Sequence, residues 1–387
     1  MCNRANFRLL VVRLGAMGDI LHALPAVTAL RQAHPEWRID WVVEPRWRGL
    51  LTAVVAEKQG IGNREQGIEN RVQGSGVEKQ GTGNREQGVE NNPAREAGQP
   101  LADGIWLAPA KEWGRRPLSG KTLGEIRDLR GALRAAGYDA VVDFQGAVRS
   151  AGIARLSGAK RIIGEREPRE WAARWLFNER VATRGAHVIE QDVELASAVA
   201  GDKLTAVTPL LPVDPAAEIW CDELLAECGG AVALINPGAG WGAKRWPPER
   251  YAEVARGLVE REMCVLVNTG PGEEALAEAV ARATDGAATA VAPTLAQLIA
   301  LTRRVALAIG GDSGPLHLAC ALGRPVVGIY GPTDPTRNGP FGTRARVLRS
   351  PISRRDHSRR AEPEAGLLTI TPDEVLKAAD ELMEGDA

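Results

Sequence analysis

Apolar residues along this chain fall into two kinds of pattern, short unbroken runs and helical stripes, and the two alternate. The run 9–14 predicts a buried strand, 20–32 a helix and 39–43 a second strand. After a polar interval, 104–107 predicts a third strand. Leu123, Ile126, Leu129 and Leu133 recur at helical spacing and predict one face of a helix that ends near Gly137. A strand at 140–143 follows. Strands alternating with amphipathic helices predict a parallel sheet with crossover helices. The segment 201–216 holds three prolines and no helical period, and it reads as a linker. Beyond it the pattern restarts, with a strand at 232–235. Pro247-Pro248 then opens a helix carried by Tyr251, Val254, Ala255, Leu258 and Val259. Strands at 264–267, 305–309 and 326–330 complete the series. The expectation is two doubly wound, Rossmann-like α/β domains, 1–205 and 206–387, facing across a cleft.

One stretch breaks the alternation. Residues 57–91 are five tandem units of seven, each with Gln-Gly inside. A seven-residue period suggests a coiled coil, which needs two apolar positions per heptad. These units lack them, and each carries a glycine that costs about 1 kcal/mol in a helix. So little apolar surface does not offset the entropy of ordering, and 57–100 is predicted to be a disordered surface insertion.

Composition narrows the function. The 387 residues are 44% hydrophobic and 25% charged, with 48 Lys/Arg against 49 Asp/Glu and a net charge of −1. A globally basic nucleic-acid binder is excluded, and no nucleic-acid partner is expected. The five cysteines are odd in number and scattered, which predicts neither a zinc site nor a disulfide framework and fits a reducing compartment. The first apolar run, 7–14, is broken by Arg8 and Arg13 and does not read as a signal peptide. No run approaches the length of a membrane span, so a cytoplasmic protein is expected. Ten Trp against four Phe and three Tyr is unusual. Either some line a site, or the bias belongs to the coding sequence.

Three glycine-containing motifs follow predicted strands, where doubly wound sheets bind ligands. The first is RLGAMGD, 13–19, in which Gly15 and Gly18 allow a tight turn and close approach of a ligand. Its Asp19 is either a helix N-cap or a general base projecting into the cleft. The second, NPGAGWGAKRWP from Asn236, places Lys244 and Arg245 beside a mobile-looking backbone, which suits a phosphate. The third, GGDSGPLH from Gly310, opens a helix whose exposed amides suit a diphosphate, with the Ser313 hydroxyl as a further donor. Asp312 repels phosphate and better fits a sugar hydroxyl or a cation, and no second carboxylate two residues away indicates a metal. His317, one turn into that helix, is either structural or part of the site. Charge is locally uneven. Residues 111–134 hold seven Lys/Arg against three Asp/Glu, and 147–187 hold nine against four. These are either solvated helix faces or a surface for an anionic acceptor or membrane. Trp171 and Trp175, four apart around Arg174, read as an interfacial anchor or as core packing.

Taken together, the segments MGDILHALPAVTAL, DWVVE, YDAVVDFQGAVRSA, KRWPPERY and GDSGPLHLACALGRPVVGIYGPTDP resemble the heptosyltransferases of glycosyltransferase family 9. The resemblance covers the chain except 57–100 and the end after about 350. It implies a GT-B fold and inverting transfer with no obligatory metal or cofactor. ADP-L-glycero-β-D-manno-heptose is the implied co-substrate, on the C-terminal domain. The implied acceptor, Kdo2-lipid A, meets the N-terminal domain. Peripheral contact with the anionic inner face of the inner membrane is also implied.

By motif, Asp19 matches the base, and Lys244, Asp312, Ser313, Gly314 and His317 the donor site. Glu273 matches the acidic residue that meets the ribose. On the acceptor side the candidates are Gly15, Gly18, Lys111, Arg115, Arg116 and Gln145. The Gly15-Ala16 pair departs from the hydroxyl residues that related enzymes often carry there. Other readings stay open: a family 9 transferase with another donor or a later acceptor, a nucleotide-sugar epimerase, or an inactive paralogue that only binds a nucleotide sugar.

Overall fold

A computed structural model describes residues 6–52, 100–356, 358 and 360–384. The repeat insertion expected at 57–100 lies outside them, save Pro100. In the first half the elements are β1 (Arg8–Val12), α1 (Met17–Ala33), β2 (Arg38–Val43), β3 (Gly104–Leu107), α2 (Ala110–Arg115) and α3 (Gly120–Ala136). They continue with β4 (Ala140–Asp143), α4 (Val148–Leu156), β5 (Arg161–Glu165), β6 (Glu179–Val181) and α5 (Val188–Ala200). The second half runs α6 (Pro215–Leu225), β7 (Val232–Asn236), α7 (Pro248–Val259), β8 (Cys264–Asn268), α8 (Glu274–Arg282) and β9 (Ala288–Val291). It ends with α9 (Leu295–Arg304), β10 (Leu307–Gly311), α10 (Gly314–Ala321), β11 (Val326–Tyr330), α11 (Pro335–Asn338), β12 (Ala345–Arg349) and α12 (Pro372–Met383).

Both sheets are parallel and six-stranded among the described residues, in the orders β3-β2-β1-β4-β5-β6 and β12-β11-β10-β7-β8-β9. Each order reverses direction once, between β1 and β4 and between β7 and β10. At such a switch point the loops after the two central strands diverge and leave a crevice. All three glycine motifs leave central strands at these points. The strands read as near-continuous apolar runs because helices cover both faces. Leu9, Leu10, Val11 and Val12 are fully buried, as are Ala308 and Ile309.

Helix α1 is apolar almost throughout because it is covered on several sides. It lies on the first sheet, beside α5, and against α10 of the second half. The opposite face of that sheet carries α2, α3, α4 and a 3-10 turn at Trp171–Leu176, which share a core of Trp113, Leu129, Leu133, Ile153 and Phe177. Local chemistry sets the helix ends. Ser119 caps α3 by accepting from Thr122 N, and Gly137 ends it in the left-handed conformation. Asp214 and Pro215 start α6 just after the expected linker.

Three expectations are corrected. Leu123 is 53% exposed, so the buried stripe of α3 runs through Thr122, Leu129 and Leu133. Trp171 and Trp175 lie on a 3-10 turn and both project outward, so core packing is not their role. Cys228 and Cys264 form a disulfide with a Cα–Cα distance of 5.5 Å. Spacing hid this pair because β-pairing, not sequence, makes them neighbours: Cys264, at the start of β8, pairs with Val232, and its N donates to Ala231 O. No helix among the described residues is long and apolar enough to cross a membrane.

Candidate active site

The loop from β1 to α1 is shaped by its two glycines. Gly15 has a φ of +142°, and a Cβ there would stand 2.7 Å from the Trp47 ring. A Cβ on Gly18 would stand 2.8 Å from His317 Cδ2, across the divide between the halves. On the facing side, a Cβ on Gly314 would meet the Met17 sulfur at 2.7 Å. The first turns of α1 and α10 therefore touch only because glycines stand at the contact.

Asp19 is the third residue of α1. Ala16 holds the N-cap position, and Asp19 Oδ2 accepts from its backbone N at 3.1 Å. The side chain stays 34% exposed, with the Arg13 guanidinium at 3.6 Å and that of Arg169 at 4.0 Å. Arg13 is itself buried; it donates to the Asp19 carbonyl at 2.9 Å and to Phe144 O. Gln145, after β4, closes the switch point by accepting from Leu14 N at 2.8 Å. Its loop hangs on Asp143, which accepts from Gln145 N, Gly146 N and Ser150 Oγ. Burial pushes the Asp143 carboxyl up to about 6 against those hydrogen bonds. Nearby, Asp192 of α5 is 3% exposed, has one oxygen without a partner, and is pushed by burial to about 7, with Arg13 opposing.

In the second half, the loops after β7 and β10 meet. Lys244 Nζ pairs with Asp312 Oδ2 and lies 4.1 Å from the centre of the Trp241 ring. Asp312 Oδ1 is 2.9 Å from His317 Nε2. Burial alone raises the Asp312 carboxyl, but the hydrogen bond and charge of His317 and the charge of Lys244 outweigh it and hold it well below the ordinary range. Ser313 holds the N-cap position of α10 without a side-chain cap, and its Oγ is buried with no partner. Glu273 closes this loop cluster from the end of the β8 segment. Its carboxylate occupies the space a Cβ on Gly238 would take and lies 3.7 Å from Arg245. Burial raises its pKa, and Arg245 opposes.

A histidine bridge joins the two clusters. His22 of α1 and His317 of α10 are 3.3 Å apart, Nε2 to Nδ1. Burial, then the charges of His317, His187 and Arg13, hold His22 well below the usual imidazole range, against Asp312. His187 caps α5 through Nδ1 and reaches the second half by an Nε2 contact of 3.0 Å to Gly339 O. A continuous polar line thus runs Lys244, Asp312, His317, His22, and ends one helical turn from Asp19.

The remaining candidates sit apart from this line. Lys111, Arg115 and Arg116 lie on or just after α2 and are exposed. Glu44 ties that helix to the site: its carboxylate accepts from Lys111 N at 3.0 Å and its own N donates to Leu14 O at 3.1 Å. Sequence reasoning missed Trp47, Arg169, His22 and His187. A single histidine on an apolar helix gives no signal of a partner 295 residues away. Trp47 stands out only by its buried indole N–H, which has no partner and faces Gly15. Among the described residues no group of three or more His, Cys, Asp or Glu is placed to hold a metal ion.

The arrangement pairs a half-exposed carboxylate on one domain with a cation, a helix N-terminus and a free hydroxyl on the other. That is a layout for deprotonating a nucleophile on one side and stabilising an anionic leaving group on the other. Comparison with known proteins identifies the family. The family model for glycosyltransferase family 9 (heptosyltransferase) matches residues 126–367. The chain is 28% identical over 358 residues to lipopolysaccharide heptosyltransferase 1 of Escherichia coli K12, covering 89% of this chain and 94% of that one. It is 30% identical over 284 residues to lipopolysaccharide heptosyltransferase 2 of the same strain, covering 67% and 80%. The crystal structure of E. coli heptosyltransferase WaaC with ADP superposes with a TM-score of 0.71 at 24% identity, covering 97% of this chain and 100% of that one. The fold is accordingly GT-B.

Proposed function

We propose, from the premise that this chain belongs to glycosyltransferase family 9, the heptosyltransferases, that it moves a heptosyl group from ADP-L-glycero-β-D-manno-heptose to Kdo2-lipid A. Similarity to a lipopolysaccharide heptosyltransferase 1 over nearly the whole chain supports this donor and acceptor. The observation that carries the reading is the contact of the two switch points: Gly18 against His317 and Met17 against Gly314 bring the first turn of α1, which holds Asp19, against the first turn of α10, next to the Lys244–Asp312 pair.

In this reading the diphosphate of the donor seats at the N-terminus of α10. It takes the Ser313 hydroxyl and nearby amides as donors and draws Lys244 away from Asp312. Glu273 meets the ribose hydroxyls. Asp312, with His317 bonded to it, orients a hydroxyl of the heptose. Asp19 takes the proton of the acceptor hydroxyl as its oxygen bonds to the anomeric carbon. The bond from that carbon to the diphosphate breaks, ADP leaves with the electron pair, and the anomeric configuration inverts. Arg13 fixes Asp19 in place, while Arg169 and the basic residues of α2 meet acceptor phosphates and carboxylates. Lys244 and the helix terminus supply the leaving-group stabilisation that a metal provides elsewhere, so no metal is required. The acceptor is a lipid, so the enzyme works at the anionic inner face of the membrane.

Incubating purified protein with ADP-heptose and Kdo2-lipid A, followed by mass analysis of the lipid, tests this. One added heptose that depends on both substrates supports the reading. Conversion of the donor without acceptor, or transfer to a later core acceptor only, refutes it.

A further inference from the structure

On the first domain, the sheet face opposite α1 and α5 exposes apolar side chains set among arginines. Trp171 and Trp175 are 62% and 58% exposed, an extreme for a residue type that ordinarily buries most of its area. Their rings meet edge to face with centroids 5.7 Å apart. Arg174 lies 5.4 Å from one centroid and 5.5 Å from the other, and Arg180 lies 5.4 Å from that of Trp175. The pair is thus held in a fixed outward pose by cations rather than by a core.

The same face extends further. Val148 opens α4 beside this turn, since its N donates to Glu170 Oε2 at 2.8 Å, and its side chain is 42% exposed. Helix α4 packs on α3, whose N-terminal side carries Leu118, 87% exposed, and Leu123, 53% exposed. Arg115, Arg116 and Lys121 flank Leu118, and Arg149, Arg166 and Arg169 flank the tryptophans. All are exposed. In a chain whose net charge is −1, exposed basic residues from both Lys/Arg-rich segments thus lie on the helices and turn that cover this side of the sheet, with large apolar groups projecting among them. Arg169 links this face to the site by its approach to Asp19 at 4.0 Å.

A soluble surface gains nothing from exposed Trp and Leu. A bilayer interface rewards both features at once: indoles settle at the headgroup level, leucines enter the acyl boundary, and arginines pair with anionic phosphates. We propose that Trp171, Trp175, Val148, Leu118 and the surrounding arginines form a docking face for an anionic phospholipid bilayer, which holds the domain with the Asp19 crevice at the membrane surface. This rests on the reading above that the acceptor is a membrane lipid.

The test is partition of the full-length protein onto vesicles, which requires no catalysis. The parent should bind phosphatidylglycerol–phosphatidylethanolamine vesicles and bind phosphatidylcholine vesicles weakly. Trp171→Ala/Trp175→Ala should weaken partition about tenfold or more, and Arg174→Gln or Arg180→Gln about fivefold each. Brominated lipids should quench the parent's fluorescence and spare that of the double variant. On a deacylated, water-soluble acceptor the double variant should keep the parent's kcat/KM. On the same acceptor carried in vesicles it should lose most of it. Equal partition of parent and variants would overturn the proposal. So would loss of activity on the soluble acceptor with partition unchanged, which would make this face part of the sugar site. A parent that dimerises through the face, read as a variant-sensitive mass in light scattering without vesicles, would also overturn it. Failure of the parent to transfer heptose to any acceptor counts against the proposed function and leaves partition as the deciding measurement here.

Discussion

Replacing Lys244 by Ala separates what that residue does for the fold from what it does for the ligand. In the structure its side chain is 11% exposed, paired with an Asp312 side chain that is 8% exposed, and its ammonium is set against Trp241. Removing one partner of a fully buried pair costs about 3–5 kcal/mol because a naked charge remains. Here His317 still bonds Asp312 on its other oxygen, so the charge is not orphaned and a loss of about 2 kcal/mol is expected at pH 7. The pH dependence has a definite sign. The Asp312 carboxyl is held below its ordinary value, so its contribution to stability is present above the unfolded pKa of about 4 and fades as pH falls toward the folded value. Parent and variant should converge in denaturant midpoint as the pH is taken well below about 4.

The ligand side is read by calorimetry with ADP. A charged contact worth about 1.5–3 kcal/mol predicts a loss of affinity of about tenfold to a hundredfold. Lys244→Arg should recover part of the affinity but not the Trp241 packing. A variant with unchanged ADP affinity and unchanged stability at pH 7 would refute both the pairing and the phosphate role.

Other outcomes follow from single contacts. Gly18→Ala places a Cβ 2.8 Å from a His317 ring that Asp312 and His22 pin on both sides, so it should cost about 1–3 kcal/mol in chemical denaturation and raise the donor KM. Gly124→Ala, inside α3 with open space around it, should instead stabilise by up to about 1 kcal/mol. Asp192 binds its proton more tightly folded than unfolded, so it costs stability as pH rises from about 4 to about 7. Asp192→Asn should be about 1–3 kcal/mol more stable than the parent at pH 8 and equal to it at pH 4 in thermal or urea melts. His22, held neutral by burial, gives the opposite slope. The parent should lose stability as pH falls below about 6.5, and His22→Asn should flatten that loss.

Much of this architecture is legible in the chain itself. Strands such as 104–107, 140–143 and 326–330 are short apolar runs bounded by turn residues, and the structure keeps those boundaries. The strand read at 305–309 is shifted to Leu307–Gly311, because the apolar run begins before the ladder does and Gly310 and Gly311 can still pair. Periodicity misplaced Leu123, since α3 buries a narrower stripe, through Thr122, Leu129 and Leu133, than its apolar residues suggest. The glycine motifs located both switch points, because a close approach to backbone leaves a mark in sequence. Pairings between distant segments left none. The His22–His317 bridge, the Trp47 indole beside Gly15 and the Cys228–Cys264 disulfide are set by how distant segments pack. Local spacing does not encode those distances.

The most direct test of the central claim is a single-turnover measurement with ADP-heptose bound in advance and Kdo2-lipid A added to start the reaction, comparing the parent with Asp19→Asn. In the proposed reaction Asp19 serves the acceptor only, and its side chain is held by Ala16, Arg13 and Arg169 rather than by Lys244, Ser313 or Asp312. The account predicts donor affinity unchanged within about twofold, and transfer slowed by about 10²–10⁴. Transfer by Asp19→Asn at the parent's rate would contradict it.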